Sequence, residues 1–149
     1  MLNTAMQYQP SNFLSRTTDF ILRQGAWAPL LVLLAHRLVY WFHVRQHFDW
    51  LMHYGGGLAI TYFFWKQLPL RAPWLGQLTV TGRALFAFAL GCTMGMIWEL
   101  VEFANDLTFG TQIQISIRET MKDMVNDFAG AATAIALVTV HAKLREPLG

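Results

Sequence analysis

Apolar residues fall into four long runs along the chain, separated by short polar stretches. A membrane-crossing helix needs about 20 mostly apolar residues. Four runs meet this need: residues 26–44, 50–68, 83–106 and 121–142. Pro29 lies in the first turn of the first run, where its missing N–H is best tolerated, and Pro69 follows the end of the second. The pattern therefore predicts an all-α fold, a four-helix transmembrane bundle within residues 26–142.

The segment before the first run is amphipathic rather than uniformly apolar. On a helix its apolar side chains would share one face, while its charged side chains would point elsewhere. The apolar set is Phe13, Leu14, Thr17, Phe20 and Ile21, and the charged set is Arg16, Asp19 and Arg23. We expect residues 11–24 to form a helix in the membrane interface, between a polar N-terminal tail (1–10) and the bundle. Residues 143–149 form a C-terminal tail.

The composition supports a membrane protein and excludes several other classes. Hydrophobic residues make up 54% of the chain and charged residues 13%, about half the charged share of soluble domains. Mean hydropathy is +0.33. Disorder and coiled coil are excluded, and a soluble globule is disfavoured. The single cysteine rules out an internal disulfide, and the net charge of +2 gives no indication of a nucleic-acid partner.

Basic residues are unevenly distributed between the ends of the predicted bundle. Seven of the 11 Lys and Arg residues lie in the N-terminal segment, the second loop and the C-terminal tail. Cytoplasmic loops are enriched in Lys and Arg. We therefore predict a multi-pass protein of a bacterial-type inner membrane with both termini cytoplasmic.

Acidic residues and histidines concentrate at the opposite, non-cytoplasmic end. Their spacings of three or four residues place them on single helix faces, which can converge in a bundle. The three groups are Asp49 and His53; Glu99, Glu102 and Asp106; and Asp123 and Asp127. Ionised carboxylates are costly inside a bilayer, so several together need partners.

Three interpretations of these acids remain open. They pair with cations and cap helix ends, they bind a metal, or they form a metal-free proton or ligand site. The available cations at this end are Arg37, Arg45, Arg118 and Lys122. Carboxylates with an imidazole on facing bundle helices are typical of sites for Mn, Fe or Mg.

The metal hypothesis assigns a role to each residue. The predicted ligands are His53, Glu102, Asp123 and Asp127, with Glu99 as a base and Arg37 as a charge stabiliser. Asp49, Asp106 and Gln112 are further candidates for the polar site. An enzyme of this kind would be a metal-dependent membrane hydrolase or transferase. No Ser or Cys lies in a recognisable nucleophilic setting.

Two functional classes compete, with a homo-oligomeric transporter third. The first is a pocket that acts on or binds a lipid or another amphipathic molecule. The second is a non-catalytic subunit that packs against a larger membrane complex or binds a pigment, quinone or lipid. A single lipid-facing strip would favour the subunit, whereas acids lining a closed cavity would favour the pocket. The strip would consist of Phe63, Phe64, Trp65, Phe86 and Phe88.

Small and aromatic residues predict helix contacts and membrane anchoring. Gly56 and Gly91 are expected to allow close approach of neighbouring helices. Trp41, Trp50 and Trp98 fall where an interfacial aromatic belt is expected.

The order of these motifs resembles the YjdF-like small inner-membrane proteins and, more loosely, the VanZ-like family. The resemblance covers about residues 48–132. The motifs are Asp49-x-x-x-His53-x-x-Gly56, Trp98-Glu99-x-x-Glu102, Phe109-Gly110-Thr111-Gln112, Glu119-Thr120-Met121-x-Asp123 and Asp127-x-x-Gly130-Ala131. The resemblance implies no particular reaction. It singles out six residues: Asp49, His53, Glu99, Glu102, Asp123 and Asp127.

Overall fold

The computed structural model describes residues 13–144, and this part of the chain contains helices and no strand. The predicted tail at 1–10 and residues 145–149 of the C-terminal tail lie outside it. Five α-helices follow one another: α1 (Phe13–Thr18), α2 (Trp27–Trp41), α3 (Arg45–Arg71), α4 (Val80–Phe109) and α5 (Ile117–Leu144). A π-helical turn (Asp19–Arg23) continues α1, and a 3₁₀ turn (Pro73–Leu75) follows α3. The all-α prediction is confirmed, and each apolar run coincides with a helix.

Within the described chain, two helices are long and apolar enough to cross a membrane, namely α4 and α5. Helix α2 is apolar but has only 15 residues, so it is about 22 Å long. Helix α3 has 27 residues but includes polar residues such as Asp49, His53 and Lys66. Four spans were predicted. By length and composition, α4 and α5 are the two described helices that qualify as membrane spans.

Helix α3 lies at the centre of the fold and packs against α2, α4 and α5. Its first half adjoins the end of α4, where His53 lies beside Glu99. Its second half adjoins the start of α4, where Trp65 contacts Arg83. The two helices are therefore antiparallel. Three polar residues of α3, His53, Thr61 and Gln67, are buried among the helices rather than on an outer face.

Helix α3 continues through Pro69 instead of ending before it. Proline has no N–H, so the carbonyl of Trp65, four residues earlier, loses its helical partner. Arg83 replaces that partner: its Nε donates to the Trp65 oxygen at 2.7 Å, and its Nη2 donates to the same oxygen. The Arg83 guanidinium also lies 4.0 Å from the centroid of the Trp65 ring. A donor from another helix thus stabilises the carbonyl that Pro69 leaves unpaired.

Glycines bring the backbones of α3 and α5 into direct contact and bring the backbone of α4 against a side chain of α3. A Cβ at Gly57 would lie 2.0 Å from the Asp127 carbonyl oxygen, and one at Gly130 would lie 2.0 Å from the Tyr54 carbonyl oxygen. A Cβ at Gly91 would lie 1.9 Å from the Thr61 hydroxyl, as predicted. The prediction for Gly56 is wrong, since a Cβ there would meet its nearest neighbour at an ordinary 3.8 Å. The close approach belongs to the next residue, Gly57.

The buried side chains differ in polarity between the two ends of the bundle. An apolar core joins the end of α3 to the start of α4 and consists of Trp65, Leu68, Ala84 and Ala87. The N-terminal segment packs against the same half of α3. The centroids of the Phe20 and Phe63 rings are 5.9 Å apart, and the Gln67 side chain donates a hydrogen bond to the Gln24 carbonyl. The other half of the interior contains buried ionisable side chains, among them His53, Glu99 and Asp127.

Candidate functional site

Five titratable side chains are buried together at the end of the bundle away from the apolar core. They are only 4–7% exposed: His53, Glu99, Glu102, Asp123 and Asp127. Helix α3 supplies the imidazole, α4 supplies the two glutamates and α5 the two aspartates. The three- and four-residue spacings place each pair on the inner face of its helix. We call these five residues the buried cluster.

His53 lies at the centre of the buried cluster. Its Nδ1 is 3.3 Å from an Asp127 carboxylate oxygen and 3.4 Å from Glu99 Oε1. Nδ1 carries one hydrogen at most, so it can donate to only one of the two carboxylates at a time. His53 Nε2 and Glu99 Oε1 are buried and have no hydrogen-bond partner in the described chain.

Two residues outside the buried cluster orient its glutamates. Trp98 Nε1 donates to Glu102 Oε1 at 3.0 Å. Gln114 Nε2 donates at 3.0 Å to both the carbonyl oxygen and Oε2 of Glu99. The sequence predicted Trp98 in an aromatic belt and Gln112, not Gln114, as a residue of the polar site. Glu102 follows Trp98 by one helical turn, and this spacing could have predicted the Trp98–Glu102 hydrogen bond.

Asp106 stabilises the loop that carries Gln114 through hydrogen bonds. Its carboxylate accepts hydrogen bonds from the Ile113 and Gln114 backbone N–H groups, each at 2.8 Å, and from the Thr111 hydroxyl. Gly110 ends α4 in a left-handed conformation with φ of 64°, which turns the chain back over the cluster. Asp106 therefore acts on the buried cluster through the loop.

The remaining predicted residues lie at different distances from the buried cluster. Asp49 is half-buried and forms a group with His53 and Asp123. His53 also belongs to a second group, with Glu99 and Glu102. In each group one potential metal-ligand atom per residue lies within 4.8 Å of the others. Arg37 and Gln112 are exposed, and neither bonds to the buried cluster within residues 13–144.

An apolar cavity of about 300 Å³ adjoins the buried cluster. Side chains of α2, α3 and α4 form its walls, including Val32, Ile60 and Met94, and His53 and Asp127 are the ionisable groups of α3 and α5 that line it. On α3 the lining extends from Met52 to Ile60, about 12 Å along the helix axis. The cavity is therefore elongated, with a polar end.

A ring contact closes the polar end of the cavity between α2 and α4. The His36 and Trp98 rings meet edge-to-face with their centroids 5.3 Å apart, and both residues line the cavity. Because Trp98 also donates to Glu102, its indole joins the cavity wall to the buried cluster.

The aromatic residues that would favour a subunit do not form one exposed strip. Trp65 is buried in the apolar core. Phe88 packs edge-to-face on Phe128 at 5.1 Å, and Phe63 lies between the Phe20 and Phe64 rings. Phe86 is exposed. These residues therefore do not form the single lipid-facing strip that would favour a subunit over a ligand-binding protein.

The described chain is helical, and two of its helices are long and apolar enough to cross a membrane. The chain belongs to the family of predicted membrane proteins DUF2238, which it matches over residues 30–144. YjdF-like proteins are in this family, so that resemblance is confirmed, whereas the looser resemblance to VanZ-like proteins is not supported.

An uncharacterized protein of Thermotoga maritima is 33% identical over 91 residues, which are 60% of this chain and 46% of that protein. The match thus spans about half the length of that relative. No solved structure matches the chain.

Proposed function

We propose that this protein binds an amphipathic molecule within the membrane, with the apolar part in the cavity and the polar end at His53 and Asp127. The observation that carries the proposal is the elongated apolar cavity with a buried imidazole and carboxylate at one end. Ligand sites are typically apolar concavities with a few well-placed polar groups.

The proposal includes four membrane-spanning helices, with the buried cluster in the non-cytoplasmic half of the bilayer. Helix α3 packs against α2, α4 and α5, so its polar side chains need not face lipid. It is long enough to cross, since 27 residues extend about 40 Å. The shorter α2 would be accommodated by local thinning of the bilayer.

The cavity favours a slender ligand with a hydroxyl head group. Its volume is at the lower end of the range for ligand pockets, about 300–1,000 Å³, so it suits a single hydrocarbon chain. The Asp127 carboxylate, which lines the cavity, can accept a hydrogen bond from a hydroxyl group. A lipid alcohol is the class of ligand that meets both conditions.

The catalytic roles stay predictions. Glu99 belongs to the buried cluster and has an oxygen without a hydrogen-bond partner in the described chain, as a base would require. Arg37 is exposed on α2, so the geometry gives no support to its role as a charge stabiliser. Binding is therefore the part of the function that the geometry supports best.

Photo-crosslinking tests the proposal. The purified protein in lipid nanodiscs would be irradiated with a long-chain alcohol that carries a diazirine on its chain, and the labelled peptides would be identified by mass spectrometry. We expect labelling of cavity residues on α2, α3 and α4. Ile60→Trp fills the cavity and should reduce labelling at least tenfold, whereas Val125→Trp, at an exposed position of α5, should leave it unchanged.

Two results would contradict the proposal. One is equal labelling of the wild type and a folded Ile60→Trp variant. The other is preferential labelling by a probe with a phosphate head group and the same chain. Elution as a single species in size-exclusion chromatography is the folding control for both variants.

A further inference from the structure

The buried cluster contains more negative than positive groups. Glu99 and Asp127 both approach the Nδ1 atom of His53, and a protonated imidazole supplies one positive charge for two carboxylates. A buried charge without a partner costs several kcal/mol. The arrangement therefore requires either a shared proton or a bound cation.

Two buried atoms indicate a cation. Glu99 Oε1 and His53 Nε2 have no hydrogen-bond partner within residues 13–144, and their side chains are 5% and 4% exposed. Buried polar atoms in proteins are partnered in the great majority of cases, and an exception is commonly explained by an ion or a water molecule. Glu99 Oε1 is directed toward His53, because Gln114 holds the other carboxylate oxygen.

We infer that His53, Glu99 and Glu102 bind one divalent transition-metal ion. Their potential ligand atoms lie within 4.8 Å of one another. Three atoms at that spacing are at most about 2.8 Å from a common centre, so contraction by about 0.6 Å gives ordinary metal–ligand distances of about 2.2 Å. The inference goes beyond the proposed function, since the ion binds whether or not the cavity holds a ligand.

The ligand chemistry favours Mn²⁺ or Fe²⁺. Carboxylate oxygens suit Mg²⁺ and Mn²⁺, whereas an imidazole nitrogen suits later transition metals, so a mixed set favours ions that accept both. Trp98 donates a hydrogen bond to Glu102, and Gln114 donates one to Glu99. Hydrogen bonds of this kind orient metal ligands. Asp127, which is hydrogen-bonded to His53 Nδ1, would orient the imidazole in the same way.

Titration with Mn²⁺ alone tests the site. Chelator-treated full-length protein in detergent would be titrated while free Mn²⁺ is followed by electron paramagnetic resonance. We expect one ion per chain. Glu99→Gln and Glu102→Gln should each weaken binding more than tenfold, since loss of an outer partner alone costs about 10–100-fold. Glu119→Gln, which removes an acid paired with Lys122 outside the cluster, should change affinity less than twofold.

Melting temperatures separate a metal site from structural ion pairs. In a like-charged cluster the amide variants lose a repelling charge, so without metal they should melt at or above the wild-type temperature. Mn²⁺ should raise the melting temperature of the wild type and of Glu119→Gln but not of the two cluster variants. Absence of a saturable Mn²⁺ site in the wild type would overturn the inference, as would wild-type affinity in both cluster variants.

Discussion

Gln114 controls the orientation of Glu99 although it lies on a loop without helix or strand. Its side-chain amide holds one carboxylate oxygen and the backbone carbonyl of Glu99, and Asp106 holds its backbone N–H. The free Glu99 oxygen is thereby aimed at His53. One side chain of the loop thus connects the surface to the buried cluster.

We expect Gln114→Ala to destabilise the protein by about 1–3 kcal/mol, because a buried carboxylate then loses its hydrogen-bond donor. Gln112→Ala is the matched control, since Gln112 is an exposed amide two residues away, and it should stay within about 0.5 kcal/mol of the wild type. Melting in detergent, followed by circular dichroism, measures both. Equal effects of the two changes would show that the Gln114 contact contributes nothing.

The members of the buried cluster could be predicted from the sequence, but the loop residue that orients Glu99 could not. Glu99 and Glu102, or Asp123 and Asp127, have spacings that fix a shared face on any helix. Gln114 has no such constraint, because the path of residues 110–116 depends on hydrogen bonds to Asp106 that no periodicity reveals. Periodicity also says nothing about how far Arg37 lies from the acids.

At the scale of the helices, α3 shows why composition and position must be considered together. Its polar residues make it a poor membrane span taken alone, yet three other helices pack around it. The end of α3 could not be predicted either. Pro69 normally stops a helix, and only the spatial neighbour Arg83 explains the continuation to Arg71.

Gly57→Ala should separate α3 from α5 and destabilise the protein by about 1–3 kcal/mol, the usual cost of overpacking. The added Cβ would lie 2.0 Å from the Asp127 backbone oxygen, which cannot move without its helix. Gly56→Ala is the adjacent control and should have little effect, because its Cβ would meet Asp127 at 3.8 Å. Thermal melting of the two variants side by side checks the difference. A similar loss for both would contradict the assignment of the helix crossing to Gly57.

At the scale of the whole molecule, the two ends of the bundle differ in chemistry. The buried cluster and the loop over it occupy one end, while the apolar core and the N-terminal segment occupy the other. The distribution of Lys and Arg predicts that the first end faces away from the cytoplasm.

Cysteine labelling tests this orientation. In a Cys92→Ala background, Gln112→Cys should react with a membrane-impermeant maleimide in intact cells, because the predicted orientation places the 110–116 loop outside. Gln77→Cys, also at an exposed position but in the loop between α3 and α4, should react only after lysis. The reverse pattern would place the buried cluster in the cytoplasmic half of the bilayer.

The enclosure of α3 by other helices has a consequence for biosynthesis. Helix α3 leaves the ribosome before α4 and α5, the two described helices that are long and apolar enough to cross a membrane. We expect α3 to insert stably only after they follow, so a chain truncated at residue 79 should leave α3 accessible to protease, whereas the full chain should protect it. Protection of α3 in the truncated chain would show that it inserts alone. We therefore expect the polar residues that build the site to make membrane insertion of the third helix dependent on the synthesis of the last two.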